Sequence, residues 1–173
     1  KVSITVEEPG FDPDDQTKIE PGKEISKDPK IKNTGVNDAF VYLEVSIPMA
    51  NVEAVTEAGT RLGVKNQELF SFQPSESWTK LSSKTSGNNQ IYVYAYNKIL
   101  PAEETTEALF SSVKFLNVIE KQIDEQQLSI PVRAYAIQAS YTGGESGSVI
   151  DKAKIAYEKY VNQNKGQDGQ VTP

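Results

Sequence analysis

Three aspartates lie close together in a proline-containing loop: Asp12, Asp14 and Asp15. Their carboxylate oxygens are of the kind that calcium binds, and calcium loops usually supply about six to eight oxygens around a glycine at a sharp turn. That fuller pattern is missing here, which favours a solvated turn. The sequence therefore predicts no metal site, and an ion held by these three aspartates stays the alternative.

Two pairs of neighbouring glutamates, Glu7–Glu8 and Glu103–Glu104, are the candidates for paired-carboxylate chemistry of the glycosidase type. Neighbouring side chains on extended backbone point to opposite faces, so each pair is typical of a solvated surface. The chain contains no histidine and no cysteine, which removes the commonest general base, the thiol nucleophile and the usual transition-metal ligands. A Ser–Lys pair stays formally open, although no spacing singles one out. We expect no enzyme, no catalytic residues and no cofactor.

Tyr92, Tyr94 and Tyr96 alternate along one predicted strand and should share a face. An exposed row of tyrosines could stack on sugars or bases, whereas such rings more often pack across strands. The chain has 18 Lys and Arg against 24 Asp and Glu, and this net charge of −6 argues against nucleic acid as a partner. One functional alternative is therefore a cell-surface adhesin that binds carbohydrate or protein through this tyrosine face.

A covalent bond between a lysine and an asparagine side chain, assisted by a buried carboxylate, is a third kind of chemistry open to a β-sandwich. Glu44 and Arg133 are charged residues within strongly patterned strands. The pattern favours a charged group on a solvated or partner-covered strand face over such a cross-link.

The elements that would position these residues are mostly short strands. Period-2 alternation of apolar residues is strongest in 40–47, 90–98 and 129–140. Pro48 should end the first of these because proline has no N–H for the ladder. Segments 51–65 and 82–89 are interpreted as a loop-rich connection and a polar turn, and 118–127 as a short helix or turn. Weaker strand patterns cover 1–8, 24–32, 68–72, 78–81 and 108–116.

Helical spacing of apolar residues appears after a glycine-rich break, in 149–161, with Ser148 as the N-cap. The polar residues 162–173 should form a flexible tail. About eight to ten strands with one terminal helix predict an all-β protein, a jelly-roll-like antiparallel β-sandwich in one domain over 1–161. No run approaches the roughly 20 apolar residues of a membrane helix, so no membrane insertion is expected.

The order of several turn-and-strand motifs resembles the TasA/camelysin family of SipW-dependent secreted proteins, and most of all its clostridial members. The resemblance covers roughly residues 2–140. The residues that carry it are Glu8-Pro9-Gly10-Phe11-Asp12, Pro21-Gly22, Lys27-Asp28-Pro29, Ile31-Lys32-Asn33-Thr34-Gly35, 37–45, Leu100-Pro101 and 134–139.

The resemblance implies a structural subunit of a biofilm-matrix fibre or pilus, secreted to the extracellular matrix or cell surface of a Gram-positive bacterium. Members of the family polymerise by donor-strand complementation, so the partners would be other copies of the chain and accessory fibre proteins. The donor would be residues 1–8, with Val2, Ile4 and Val6 as its inward-facing side chains, or residues removed upstream of Lys1. A metallopeptidase activity described for camelysin-like members is not expected, because the chain has no histidine or cysteine.

Overall fold

The computed structural model describes residues 2–7, 20–119, 128–139 and 148–163. Ten strands and one helix form in this part of the chain. They are β1 (Ile4–Glu7), β2 (Glu24–Ser26), β3 (Lys30–Asn33), β4 (Ala39–Val55), β5 (Arg61–Glu68), β6 (Phe70–Ser71), β7 (Trp78–Ser86), β8 (Asn89–Tyr96), β9 (Ser112–Phe115), β10 (Val132–Gln138) and α1 (Val149–Gln163).

The main sheet has the strand order β10-β4-β8-β7, and β5 pairs with the far end of β4. A second sheet, β2-β9-β6, and the two-stranded sheet β1-β3 contribute to the same core, and all pairings are antiparallel. Alternate residues of β4 point into this core because strand side chains alternate between faces. The fully buried ones include Val41, Leu43, Val45 and Ile47.

The opposite face of the main sheet is covered by α1. Phe40 and Tyr42 of β4 are buried there against Ala153 and Ala156 of the helix. Ser148 caps the helix, since its Oγ accepts a hydrogen bond from the Asp151 N–H at 3.3 Å. The main sheet is therefore the middle layer, with the second sheet on one side and α1 on the other.

The prediction of an all-β, jelly-roll-like antiparallel β-sandwich with a C-terminal helix is confirmed. The predicted end of the central strand at Pro48 is wrong, because β4 continues to Val55. After Pro48 the β4 strand pairs with β5, and the N–H of Leu69, the residue that follows β5, donates to the Pro48 carbonyl at 2.9 Å. The missing N–H of one proline is tolerated where partner strands change.

Other boundaries also differ from the sequence prediction, and the strands predicted over 108–116 and 129–140 are shorter, Ser112–Phe115 and Val132–Gln138. Residues 51–65 are not a loop-rich connection but most of the β4–β5 hairpin, and β7 extends through part of the segment predicted as a polar turn. Helix α1 runs two residues beyond 161, into the predicted tail. Residues 120–127 of the predicted helix or turn, and 164–173 of the tail, lie outside the described residues, and Val118 forms an isolated bridge with Ala54.

Candidate strand-exchange site

The N-terminal strand β1 lies in a groove formed by β3 and the turn that follows it. The register places Ile4 opposite Asn33, Thr5 opposite Lys32, and Glu7 opposite Lys30. Ile4 is 1% exposed, while Val2 and Val6 are half-buried against the same core. The alternation predicted for these three side chains is thus present, with all of them packed inward within one chain.

The turn after β3 holds the start of β1 through backbone hydrogen bonds. The N–H groups of Thr34 and Gly35 both donate to the Ser3 carbonyl oxygen, at 2.9 and 3.1 Å. The Thr34 hydroxyl also donates to Ser3 Oγ at 2.9 Å. The segment preceding β1 is therefore anchored by two main-chain hydrogen bonds, which do not depend on its side chains, and by one bond to the Ser3 hydroxyl.

Asn33 fixes the shape of this turn from inside the core. Its side chain is fully buried, and its Nδ2 donates to the carbonyl oxygens of Asn37 and Leu100 at 2.9 and 3.0 Å. Its Oδ1 accepts a hydrogen bond from the Gly35 N–H at 2.9 Å. A buried amide must find such partners because an unpaired polar group is costly in a low-dielectric interior.

The other edge of β3 is paired with the segment before β9. Asn33 exchanges hydrogen bonds with this segment through the Glu104 carbonyl and the Glu103 N–H, at 2.9 and 2.8 Å. Ile31 is also paired with this segment. The Thr106 N–H donates to the Ile31 carbonyl at 2.8 Å, and the Ile31 N–H donates to Thr106 Oγ1 at 3.0 Å. Because this edge is satisfied, removal of β1 would open only the edge that β1 covers.

The exposed tyrosine face predicted from the sequence is wrong for two of its three members. Tyr94 and Tyr96 are buried, each 6% exposed, and they pack in the core between the sheets. Tyr92 is partly buried, and its hydroxyl donates to Glu68 at 2.5 Å. Burial raises the pKa of Tyr92, and the Glu68 carboxylate adds to the shift. The three tyrosine rings face the second sheet, while Val93 and Ala95 on the other face of β8 pack towards α1. Strand β8 is thus covered on both faces, which is why these rings are not exposed.

Glu44 and Arg133, considered for covalent chemistry, form an ion pair at 3.9 Å across β4 and β10. The Tyr135 hydroxyl donates to Glu44 at 3.1 Å. Burial raises the pKa of Tyr135, and the Glu44 carboxylate raises it further because it opposes a second negative charge. The partners of the Glu44 carboxylate are thus Arg133 and the Tyr135 hydroxyl, not the lysine and asparagine that a covalent cross-link would need.

The carboxylate candidates do not converge on a site. Glu103 and Glu104 are exposed, and Glu103 adopts a φ of 70° in a turn. Glu7 is exposed, whereas Glu8 and the three aspartates Asp12, Asp14 and Asp15 lie outside the described residues. Within the described ranges, no group of three or more acidic, histidine or cysteine side chains is placed to hold a metal ion. No helix of this described part is long and apolar enough to cross a membrane.

Comparisons with known proteins give likenesses of structure only. No protein-family model matches the chain, and no curated protein matches it. A carbohydrate-binding module, CBM3b of the cellulosomal cellobiohydrolase 9A from Clostridium thermocellum, aligns at 15% identity with a TM-score of 0.40, over 82% of this chain and 99% of that one. A DUF4466 family protein from Parabacteroides merdae aligns at 12% identity with a TM-score of 0.24, over 78% and 43%. Sequence identities and TM-scores this low do not indicate a function for this chain.

Proposed function

We propose that this protein is a structural subunit of an extracellular biofilm-matrix fibre or pilus that polymerises by donor-strand complementation. The proposal includes membership of the TasA/camelysin family and secretion to the surface or matrix of a Gram-positive bacterium. The observation that supports it is β1, a short strand whose inward side chains complete the core through contacts that another copy of the same strand could make.

Exchange of β1 between copies would preserve every contact that β1 makes within one chain. The donor of a second copy would present the same Ile4 to the core and the same Ser3 carbonyl to the turn. Such strand addition gains affinity from main-chain hydrogen bonds and specificity from alternate side chains in pockets. Burial of the Ile4 side chain alone contributes about 1.5–3 kcal/mol, within one chain or between two.

The chain offers enough length for a swap. Twelve residues, 8–19, separate the end of β1 from Glu20. An extended segment of this length spans at most about 40 Å, which is comparable to the diameter of a domain of this size. Each copy would donate one strand and accept one, so the contact is head-to-tail and continues into a filament unless the rotation closes a ring.

A reversible disulfide that ties β1 to its own chain tests the exchange. Thr5 lies opposite Lys32, and antiparallel partners have Cα atoms about 4.5–5.5 Å apart, within the range of a disulfide. The chain has no cysteine of its own, so Thr5→Cys with Lys32→Cys gives a single defined link. We expect the oxidised double variant to stay monomeric under conditions where the wild type forms filaments visible by electron microscopy.

Reduction of the same sample provides the matched control. The reduced double variant and the single Thr5→Cys variant under reducing conditions should both form filaments, because their β1 is free to leave. Equal filament formation in the oxidised and reduced samples would exclude β1 as the exchanged strand. A wild type that stays monomeric at all concentrations and pH values tried would contradict the fibre function itself.

A further inference from the structure

Three tyrosine rings meet where α1 lies on the main sheet. The Tyr135 ring of β10 lies against Tyr157 and Tyr160 of α1, with ring centroids 6.4 and 6.0 Å apart. Tyr157 and Tyr160 are three residues apart in the helix, so they lie on the same face of it. Tyr135 is buried and the other two are partly buried. Such distances are ordinary for aromatic packing, so a function for this tyrosine cluster needs a further observation.

The hydroxyl ends of the tyrosine cluster lie close to one ion pair. The Tyr135 hydroxyl donates to Glu44 at 3.1 Å, and Glu44 pairs with Arg133 at 3.9 Å. Burial raises the pKa of Tyr157, and the Glu44 carboxylate raises it further. Burial also raises the pKa of Tyr160, whereas the positive charge of Arg133 lowers it. The ring carbons beside these hydroxyls, which are the positions where oxidised phenols couple, therefore lie near the same two charges.

The surroundings of Tyr135 and Tyr160 suit one-electron oxidation. A phenol that loses an electron also loses its proton, and the Glu44 carboxylate is a hydrogen-bonded acceptor for the proton of Tyr135. Tyr160 is partly exposed and lies in the last turn of α1, and helix ends fray, so its ring can be reached and can move. Tyr42 differs, although its ring lies 5.2 Å from Tyr157, because it is fully buried and its hydroxyl donates to a neutral backbone carbonyl.

We propose that Tyr135 and Tyr160 are a modification site, at which oxidation forms a dityrosine bond that fastens α1 to the main sheet. Each phenol gives one electron to a peroxidase-type oxidant and one proton to Glu44 or to water. The two radicals join through ring carbons beside their hydroxyls, and the hydrogens of those carbons move to the oxygens, which restores both phenols. One C–C bond forms, two hydrogens are lost, and one hydrogen peroxide takes them up to give two waters.

The bond would act as a disulfide does in other proteins, and this chain contains no cysteine. The buried residues of α1 are two alanines, Ala153 and Ala156, so the helix buries little apolar side chain against the sheet. A covalent link between positions 135 and 160 removes conformational freedom from the unfolded chain and so stabilises the attached helix. The link joins β10 to α1 and does not involve β1, so it stands or falls separately from the proposed strand exchange.

Oxidation of the dilute protein with a haem peroxidase and hydrogen peroxide tests the pair. Tyr141 lies outside the described residues, so all measurements are made in a Tyr141→Phe background. We expect a fluorescent monomer that is lighter by two hydrogen atoms. Trypsin separates the three tyrosines of the cluster into residues 134–152, 155–159 and 160–165. Mass spectrometry should then find 134–152 joined to 160–165. A link to 155–159 instead, or links between copies alone, would overturn the proposal.

Two phenylalanine variants provide the matched comparison. Tyr160→Phe should lower the yield of linked monomer by about tenfold, whereas Tyr92→Phe should leave it unchanged. Tyr92 is also partly buried and donates to a carboxylate, but the ring 6.0 Å from it is Phe72, which has no hydroxyl. Circular dichroism checks that both variants are folded. Equal yields in the two variants, or no linked monomer under conditions that couple free tyrosine, would refute the site.

Thermal unfolding tests whether the bond fastens the helix. The linked monomer should unfold at a midpoint about 5–10 °C above that of the unoxidised protein, because the link closes a loop of the unfolded chain. Oxidised Tyr160→Phe should keep the midpoint of its unoxidised form. A linked monomer with an unchanged midpoint would contradict the fastening of α1.

Discussion

The Tyr42 hydroxyl donates a 2.7 Å hydrogen bond to the backbone carbonyl oxygen of Ala153, and so joins the main sheet to α1. Tyr42 lies near the start of the central strand β4 and is fully buried, and Ala153 is also fully buried. The Tyr42 ring contacts Tyr157 of the helix, with centroids 5.2 Å apart. One side chain thus sets both the distance and the position of the helix along the sheet.

Replacement of Tyr42 by phenylalanine should weaken this attachment while it preserves ring packing. A net intramolecular hydrogen bond contributes about 0.5–1.5 kcal/mol, so we expect the free energy of unfolding to fall by about that amount. Urea unfolding monitored by circular dichroism measures the change. Tyr157→Phe is the matched control, and it should cost less because its hydroxyl makes no comparable bond to the helix backbone. An equal loss in both variants would contradict the role given to the Tyr42 hydroxyl.

The protein should lose stability at alkaline pH through its buried tyrosines. Burial raises the pKa of Tyr42 above its ordinary value, and the pKa of Tyr135 is raised by burial and by the Glu44 carboxylate. A raised folded-state pKa gives stability that is fully present below the unfolded pKa of about 10 and is lost as pH rises beyond it. Unfolding midpoints should stay level from about pH 8 to 10 and fall above about pH 10. The fall should be shallower in Tyr42→Phe than in the wild type, and an identical slope would contradict this origin.

Period-2 alternation located the main strands but did not reveal what covers each face. Phe40 and Tyr42 alternate with Val41 and Leu43, so the pattern separates two faces correctly, yet all four residues are buried. A strand covered on both sides reads as nearly continuous apolar sequence, and only the position of α1 shows that the second face is closed. The exposed tyrosine prediction failed for the same reason, because a shared face is not an exposed face.

Strand β5 was missed because its local sequence combines strand and turn signals. Gly59 and Gly63 flank Leu62 within a few residues, which favours a loop. Gly63 in fact supplies the positive φ of a bulge that the Glu53 carboxylate closes. That carboxylate is ten residues away, so the bulge depends on hairpin pairing that no local pattern contains. The inward alternation of Val2, Ile4 and Val6 was visible in the sequence, whereas the turn that anchors Ser3 was not.

Asn33→Leu should be destabilising although the two side chains have the same branching and the same number of heavy atoms. The substitution removes three hydrogen bonds of the Asn33 side chain, those with the Leu100 and Asn37 carbonyls and the Gly35 N–H. The Gly35 N–H keeps its bond to the Ser3 carbonyl, and the Leu100 carbonyl keeps its bond from the Ala39 N–H. A net hydrogen bond contributes about 0.5–1.5 kcal/mol, so the three together predict a loss of about 1.5–4.5 kcal/mol in urea unfolding. Asn51→Leu, at an exposed position in β4, is the control and should change stability by less than about 0.5 kcal/mol.

The same Asn33 variant bears on the strand exchange. The turn that Asn33 holds donates two N–H groups to the Ser3 carbonyl, so its loss should loosen β1 before the rest of the fold. Hydrogen exchange of the β1 amides should accelerate more than that of the β8 amides. Uniform acceleration across both strands would show that Asn33 supports the whole core and not the β1 groove in particular.

Glu53→Gln should open the bulged end of the β4–β5 hairpin without unfolding the protein. The hydrogen bond and charge of Arg61 lower the pKa of Glu53, helped by the Gly63 N–H. A lowered folded-state pKa gives stability that is present above the unfolded pKa of about 4.3 and is lost as pH falls through the folded value. Protection of the Gly63 amide from hydrogen exchange should therefore drop in the variant, and in the wild type below about pH 4. Unchanged protection in the variant would show that backbone pairing alone holds the hairpin.

Substitution of single tyrosines separates a core role from a binding role for the β8 row. Tyr94 is 6% exposed and packs at 6.0 Å from the Phe72 ring, so Tyr94→Ala removes a buried aromatic ring and should cost about 3–5 kcal/mol. Tyr94→Phe keeps the ring and should cost far less. Tyr92→Ala should fall between them, because Tyr92 is only partly buried and loses its bond to Glu68. If Tyr94→Ala leaves the free energy of unfolding unchanged, the Tyr94 ring does not contribute to the core, and a binding role for the exposed tyrosines is favoured instead.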